Sequence, residues 1–226
     1  MYVLRPHNGN IAYADAGIRY QLKLGRNNSD EKLKVLNSVD AMPGRYAVTL
    51  LKESLKDSAE DVRLVSHGML DKREKEINDD IARALEILEK SDDAEVKHYA
   101  VRHLAMRYWD LIYFGLAEGD MLRYVYEQIQ FYADRALQSN PRDGEIQMVR
   151  GKLFLHQHKA DAAEECFQKA EEYGIPLSRV LFYRAEAAFY QKDFARVRAL
   201  LSGQRFFPNS AHLQPVIAFW QGRRLM

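Results

Sequence analysis

The sequence predicts an all-α protein built as a helical-repeat solenoid, on three observations. The stretch from Gly144 to Pro176 carries a small–aromatic–small code: Gly151 and Phe154 in one helix, then Ala163, Phe167 and Ala170 in the next. The last three stand at i, i+4 and i+7, one stripe of a helix turned toward its neighbour. The code recurs at a period of about 34 residues. Gly151 steps forward to Ala185, Phe154 to Ala188, Ala163 to Val197 and Phe167 to Leu201; stepping back gives Ile129, Ala133 and Ala136. Finally, 12 Gly and 6 Pro in 226 residues leave few breaks, and no alternating run stands clear of the helical stripes.

The elements follow in order. After a loose lead-in to Pro6, Ile11, Ala14, Ile18 and Leu22 predict a helix over Asn10–Leu24. Gly25–Ser29 is turn chemistry, and Ser29 or Asp30 caps a short helix carrying Leu33, Leu36 and Val39. Asp40–Gly44 is a second turn, with Pro43 suited to the first turn of a helix bearing Ala47, Leu50, Leu51 and Leu55. Asp57 and Ser58 interrupt it, and Asp61, Val62 and Arg63 open another helix. Gly68 weakens that helix, so a long helix is expected from about Asp71 to Lys90, on a stripe of Ile77, Ile81, Leu85 and Leu88. Its run Asp71–Glu76 reads as a solvated face with i,i+4 pairs. Ser91–Asp93 forms a cap and a boundary. Helix pairs follow from Ala94, broken at Ser139–Pro141, Gly174–Pro176 and Gly203–Ser210. The turn near Gly115–Asp120 is out of register and both helices of that first pair read as long. A last helix from Ala211 to about Arg224 carries Leu213, Val216, Ile217 and Trp220 and closes the exposed end.

The code of Gly151, Phe154, Ala163, Phe167, Ala170, Ala185 and Leu201 resembles the tetratricopeptide repeat. The run Leu50, Leu51, Leu55, a short acidic turn, then Asp61, Val62 and Arg63 resembles a HEAT-like pair, in which the Asp caps a helix and the Arg pairs with acids along the stack. Any capped helix hairpin also fits these residues. The expected organisation is a HEAT-like segment over residues 1–90, then about three tetratricopeptide-like pairs with a C-terminal capping helix over residues 91–226.

Composition narrows the function. Hydrophobic content of 47% and charged content of 29% are those of a folded soluble protein. A net charge of +1 from 33 basic and 32 acidic residues suits neither a nucleic-acid backbone nor a polybasic membrane contact. The one cysteine, Cys166, excludes an intrachain disulfide and fits a reducing compartment. No apolar run approaches the ~20 residues needed to span a bilayer, and the N-terminus lacks a signal peptide's charged and apolar regions. A cytoplasmic location is expected.

Catalytic and metal-binding readings fail on geometry. His156 and His158 point apart on a helix, His98 and His103 are five apart, and a zinc site needs three or four convergent ligands. Cys166 beside the core stripe reads as a packing residue. Asp79–Asp80 and Asp92–Asp93 read as caps. No phosphate loop or nucleophile elbow occurs, so no cofactor is expected and the chain reads as non-enzymatic.

A surface remains. In a tetratricopeptide array the first helix of each pair lines the concave face. By that register Glu145, Met148, Lys152, Leu155 and His156 face inward, then Arg179, Phe182, Glu186, Phe189 and Tyr190, then Leu213, Val216 and Trp220 from the last helix. Such a groove suits a protein segment burying side chains. The same rings also suit packing within the array, and the residues leave both readings open. Trp109, Tyr113, Phe114, Tyr124, Tyr126, Phe131 and Tyr132 form a second aromatic concentration, read mainly as core. A general chaperone adaptor would need a clamp for an acidic chain end, where Met148, Val149, Phe182 and Tyr183 stand instead of Lys or Asn. An all-helical regulatory or ligand-binding domain would need a closed pocket of convergent polar groups.

Residues Tyr46-Ala47-Val48, Leu50-Leu51, Leu55, Asp57, Asp61-Val62-Arg63-Leu64, Gly68-Met69-Leu70-Asp71, Glu74 and Ile77, followed by the array, resemble the cytosolic part of the PelE family. That family belongs to the bacterial machinery making the Pel exopolysaccharide of biofilms. The resemblance implies a scaffold without catalytic residues. It implies tethering to the inner membrane through spanning helices outside this chain. Its partners would be the cytosolic glycosyltransferase, the cyclic-di-GMP receptor protein and inner-membrane components of that machinery.

Overall fold

The computed structural model describes residues 29–39, 44–202 and 214–220. The helix expected at Asn10–Leu24, the turn residues 25–28 and 40–43 and the break at 203–210 lie outside them. Among the described residues the chain is all-helical, without strands. In order the helices are α1 Ser29–Val39, α2 Gly44–Ser54, α3 Glu60–Lys90, α4 Ala94–Tyr113, α5 Gly119–Ser139, α6 Gly144–His156, α7 Ala160–Glu172, α8 Leu177–Tyr190, α9 Phe194–Ser202 and α10 Gln214–Trp220. The chain divides into two compact units, Met1–Glu76 with Phe206–Gln214, and Ile77–Arg205 with Pro215–Met226. The division falls within α3, and the helix break at Ser91–Asp93 lies inside the second unit.

In the first unit Leu36, Val39, Ala47, Leu50, Leu51 and Val62 are fully buried. The buried hydroxyls of Ser54 and Ser66 donate to the carbonyls of Leu50 and Val62, one turn back, so neither needs a distant acceptor. Two expectations change. α3 does not wait for Asp71: it starts at Glu60 and runs unbroken through Gly68. Buried Val62, Ser66 and Leu70 anchor that first stretch, outweighing the ~1 kcal/mol a helical glycine costs. Among the described residues no acid stands within ion-pair distance of Arg63. It donates instead to the carbonyls of Asp57 and Ser58, 2.9 and 3.0 Å away, closing the turn after α2. Asp57 caps the start of α3 by accepting from the Ala59 N–H at 2.9 Å. Its other partner is Lys32, an almost fully buried lysine 2.7 Å away that sequence reasoning passed over.

The second unit is a succession of antiparallel neighbours. α4 packs on α5, α5 on α6, α6 on α7, α7 on α8 and α8 on α9, while α6 also touches both α4 and α8. Ile77, Ile81 and Ala84 of α3 join the core with Leu104, Tyr108, Ile129, Ala133, Ile146 and Leu153. Leu85, expected in that stripe, is exposed; the buried spacing runs Ile77, Ile81, Ala84, with Leu88 beside it. Asp79 and Asp80 sit mid-helix rather than at a cap, and Asp80 bonds Arg83. Asp93 is the cap it was expected to be: its side chain accepts from the N–H groups of Glu95 and Val96.

Most positions that carry the code pack in the interior. Ile129, Ala133, Ala136, Ala163, Phe167, Ala170, Val197 and Leu201 are all buried. Gly151 lies against the Phe167 ring so closely that a Cβ there would stand 2.5 Å from Cε1. After α6, the N–H groups of Gln157, His158 and Lys159 donate to Leu153, Leu155 and Phe154 carbonyls. After α8, those of Gln191, Lys192 and Asp193 donate to Ala187, Phe189 and Ala188. Both turns pivot on a left-handed residue, His158 (φ 59°) and Lys192 (φ 61°). These stand 34 residues apart, as do the bonded Glu145 and Arg179; the turn after α7 has the same bonds around Gly174 (φ 94°). The turn after α4 has the same bonds around Gly115 (φ 67°). It falls out of period because α4 and α5 have 20 and 21 residues where α6 and α7 have 13 each, two extra turns per helix.

Candidate functional site

α4, α6 and α8 lie side by side, α6 touching both of the others. α6 enters this face on a defined cap: the Asp143 carboxylate accepts from the Glu145 and Ile146 N–H groups and pairs with Arg102 of α4. Packed against α4, α5, α7 and α8, α6 is buried on most sides, with Ile146, Gln147, Met148, Val149, Leu153 and Leu155 buried. That corrects two expectations. Met148 and Leu155 do not line an open groove; they pack with Phe167, Val180 and Ala187, because α8 covers that side of α6.

The remaining predicted residues divide. Arg179 forms a two-pronged pair with Glu145, linking α8 to α6, with one N–O distance of 2.9 Å. His156 is exposed; its Nδ1 lies 2.7 Å from the Tyr126 hydroxyl and its ring meets the edge of Trp109. Phe182 is half-buried and Glu186 exposed. Phe189 and Tyr190 are the open apolar residues, 51% and 43% exposed. Trp220 is not free to face a partner. It stacks on Phe194 and meets Phe189 edge-on, 5.9 and 6.2 Å between centroids, while Ile217 of α10 is buried. The side chains of Leu213 and Val216 lie outside the described residues.

Lys152 occupies the centre. Its ammonium lies 6.0 Å from the Trp109 ring of α4 and 5.3 Å from the Tyr183 ring of α8, within cation–π range. Burial, then the nearby positive charge of Arg179, holds its pKa below the ordinary lysine value, against the pull of Glu145 and Asp110. Burial also pushes the Asp110 carboxyl up to about 6, although Arg107, 3.0 Å away, favours its ionised form. Sequence reasoning named Trp109 only within an aromatic concentration read mainly as core, with a partner patch as the alternative. The only signal was its place beside the core residue Tyr108, once the longer α4 is allowed for.

Behind this face α7, α8 and α9 are held by a charge network. The nearly buried Glu164 accepts from Arg184 and Arg196, and Arg184 also reaches Glu171. Cys166 is buried and burial raises its thiol pKa, the condition of an unreactive cysteine. Among the described residues no three His, Cys, Asp or Glu side chains are placed to hold a metal ion, and no helix is long and apolar enough to cross a membrane. The chain therefore presents an all-helical packing unit with an aromatic, charge-paired face. No protein-family model, no curated protein and no solved structure matches it.

Proposed function

We propose that the chain is a non-enzymatic scaffold of tetratricopeptide-like helix pairs that binds a segment of another protein along α4, α6 and α8. The observation that supports it is the pairing of Glu145 on α6 with Arg179 on α8, 34 residues on, between helices that lie side by side. Equivalent helices then offer equivalent faces, and exposed Phe189 and Tyr190 give this one apolar area to cover. On its resemblance to the PelE family, the scaffold acts in Pel exopolysaccharide assembly. It holds the cytosolic glycosyltransferase against inner-membrane components, on the cytoplasmic side, through a tether outside this chain. The gain is effective concentration: a polymerase kept beside its export channel hands over polymer without diffusing away.

The test is co-purification of the chain with that glycosyltransferase. Retention that falls for Phe189→Ala and Tyr190→Ala, with helicity unchanged by circular dichroism, supports the proposal. No retention by a folded wild-type chain counts against the named partner, and retention indifferent to both variants counts against the face.

A further inference from the structure

Half-buried arginines in the second unit follow a pattern from which the half-buried lysines, Lys97 and Lys152, depart. Every half-buried arginine among its described residues has a carboxylate: Arg102 has Asp143, Arg107 has Asp110, Arg150 has Asp134, and Arg184 and Arg196 have Glu164. Lys152 is as enclosed as they are. Yet among the described residues no carboxylate stands within ion-pair distance of its Nζ, and the ammonium rests against two aromatic rings. The nearest acids are spoken for, Asp110 by Arg107 and Glu145 by Arg179. A lysine desolvated this far without a counter-ion is a standing cost to the fold.

We propose that Lys152 is the polar anchor of the partner-binding face and receives a side-chain carboxylate, Asp or Glu, from the bound protein segment. This rests on the reading of the face as a protein-binding surface and adds the chemistry of its ligand. The carboxylate enters between Trp109 and Tyr183, so residues beside it in the segment are apolar and lie on those rings. A phosphate dianion or a nucleic-acid backbone would bring further negative charge toward Asp110 and Glu145. Burial and Arg179 leave the ammonium under-compensated, so a carboxylate at hydrogen-bonding distance adds an attraction that water does not supply there.

The test is selection of random twelve-residue peptides displayed on phage against the whole chain, with affinities then measured by calorimetry. The expected result is enrichment of peptides with one Asp or Glu beside aromatic or aliphatic residues. Replacing that acid by Asn or Gln, or Lys152 by Met, is expected to weaken binding at least about tenfold, and the two changes together no more than either alone. Peptides that bind equally well without their acid overturn the anchor and leave the face as a binding surface. Peptides that bind Lys152→Met as tightly as wild type do the same. Failure to enrich any peptide on the folded chain overturns both. The peptide substitution uses unaltered protein, so the result does not depend on how the Met variant folds.

Discussion

Two helical glycines differ in what surrounds them, and the same substitution should move stability in opposite directions. At Gly68 a new Cβ meets no heavy atom within 4 Å. Gly68→Ala should therefore gain the helix-propensity difference, about 1 kcal/mol. At Gly151 the new methyl falls 2.5, 2.7 and 2.9 Å from Cε1, Cδ1 and Cζ of Phe167, where carbon contacts settle at about 3.5–4.0 Å. The ring must move by roughly 1 Å, but it is fully buried and stacked on Tyr183 at 5.5 Å between centroids. Overpacking of this kind costs about 1–3 kcal/mol. Less the propensity gain, Gly151→Ala should lose up to about 2 kcal/mol, the cost being the displaced ring. Urea titration followed by circular dichroism reads both variants, with the slope checked so that a midpoint shift reports stability. Gly151→Ala stabilising the chain as Gly68→Ala does would refute the close approach of α6 and α7.

Three further outcomes follow from the polar groups. Glu164→Ala leaves Arg196 without its carboxylate and strips Arg184 of one of two; a loss of about 3 kcal/mol is expected, with Glu164→Gln recovering part of it. Asp143→Ala removes both a helix cap and the Arg102 pair and should cost about 2–3 kcal/mol, whereas Asp93→Ala, an exposed cap, should cost about 1 kcal/mol; equal losses would deny the part played by Arg102. Because Asp110 titrates near 6 when folded against an ordinary 3.8, the folded chain holds that proton more tightly than the unfolded one. This group therefore adds stability as pH falls from about 7 to about 4. The urea midpoint of Asp110→Asn relative to wild type should be highest near neutrality and shrink on acidification, by up to about 2–3 kcal/mol; a difference independent of pH would rule the burial effect out.

Helix content and the second-helix register were legible because they depend on spacing alone. Ala163, Phe167 and Ala170 announce a buried stripe whatever lies around them, and Ile129, Ala133, Val197 and Leu201 are buried as well. The face of α6 was less legible, since exposure there is decided by how closely α8 approaches. Met148 and Lys152 are one turn apart on the same side, yet one is core and the other an unpaired cation. The place of Trp109 beside Lys152 was hidden by the two-turn lengthening of α4, which breaks the period that would have aligned the two. Arg63 and Lys32 show the same limit: the sequence marks a cation, and only the fold shows whether it meets a carbonyl or an acid.

The burial of α6 on most sides has a consequence during synthesis. Met148 and Leu155 leave the ribosome before Val180 and Ala187, the residues that cover them. For that interval the nascent chain holds a sticky helix with no partner on one side, the kind of intermediate that aggregates or engages a chaperone. Translation arrested between Pro176 and Tyr190 should yield a chain that trigger-type holdases retain, and release should coincide with emergence of α8.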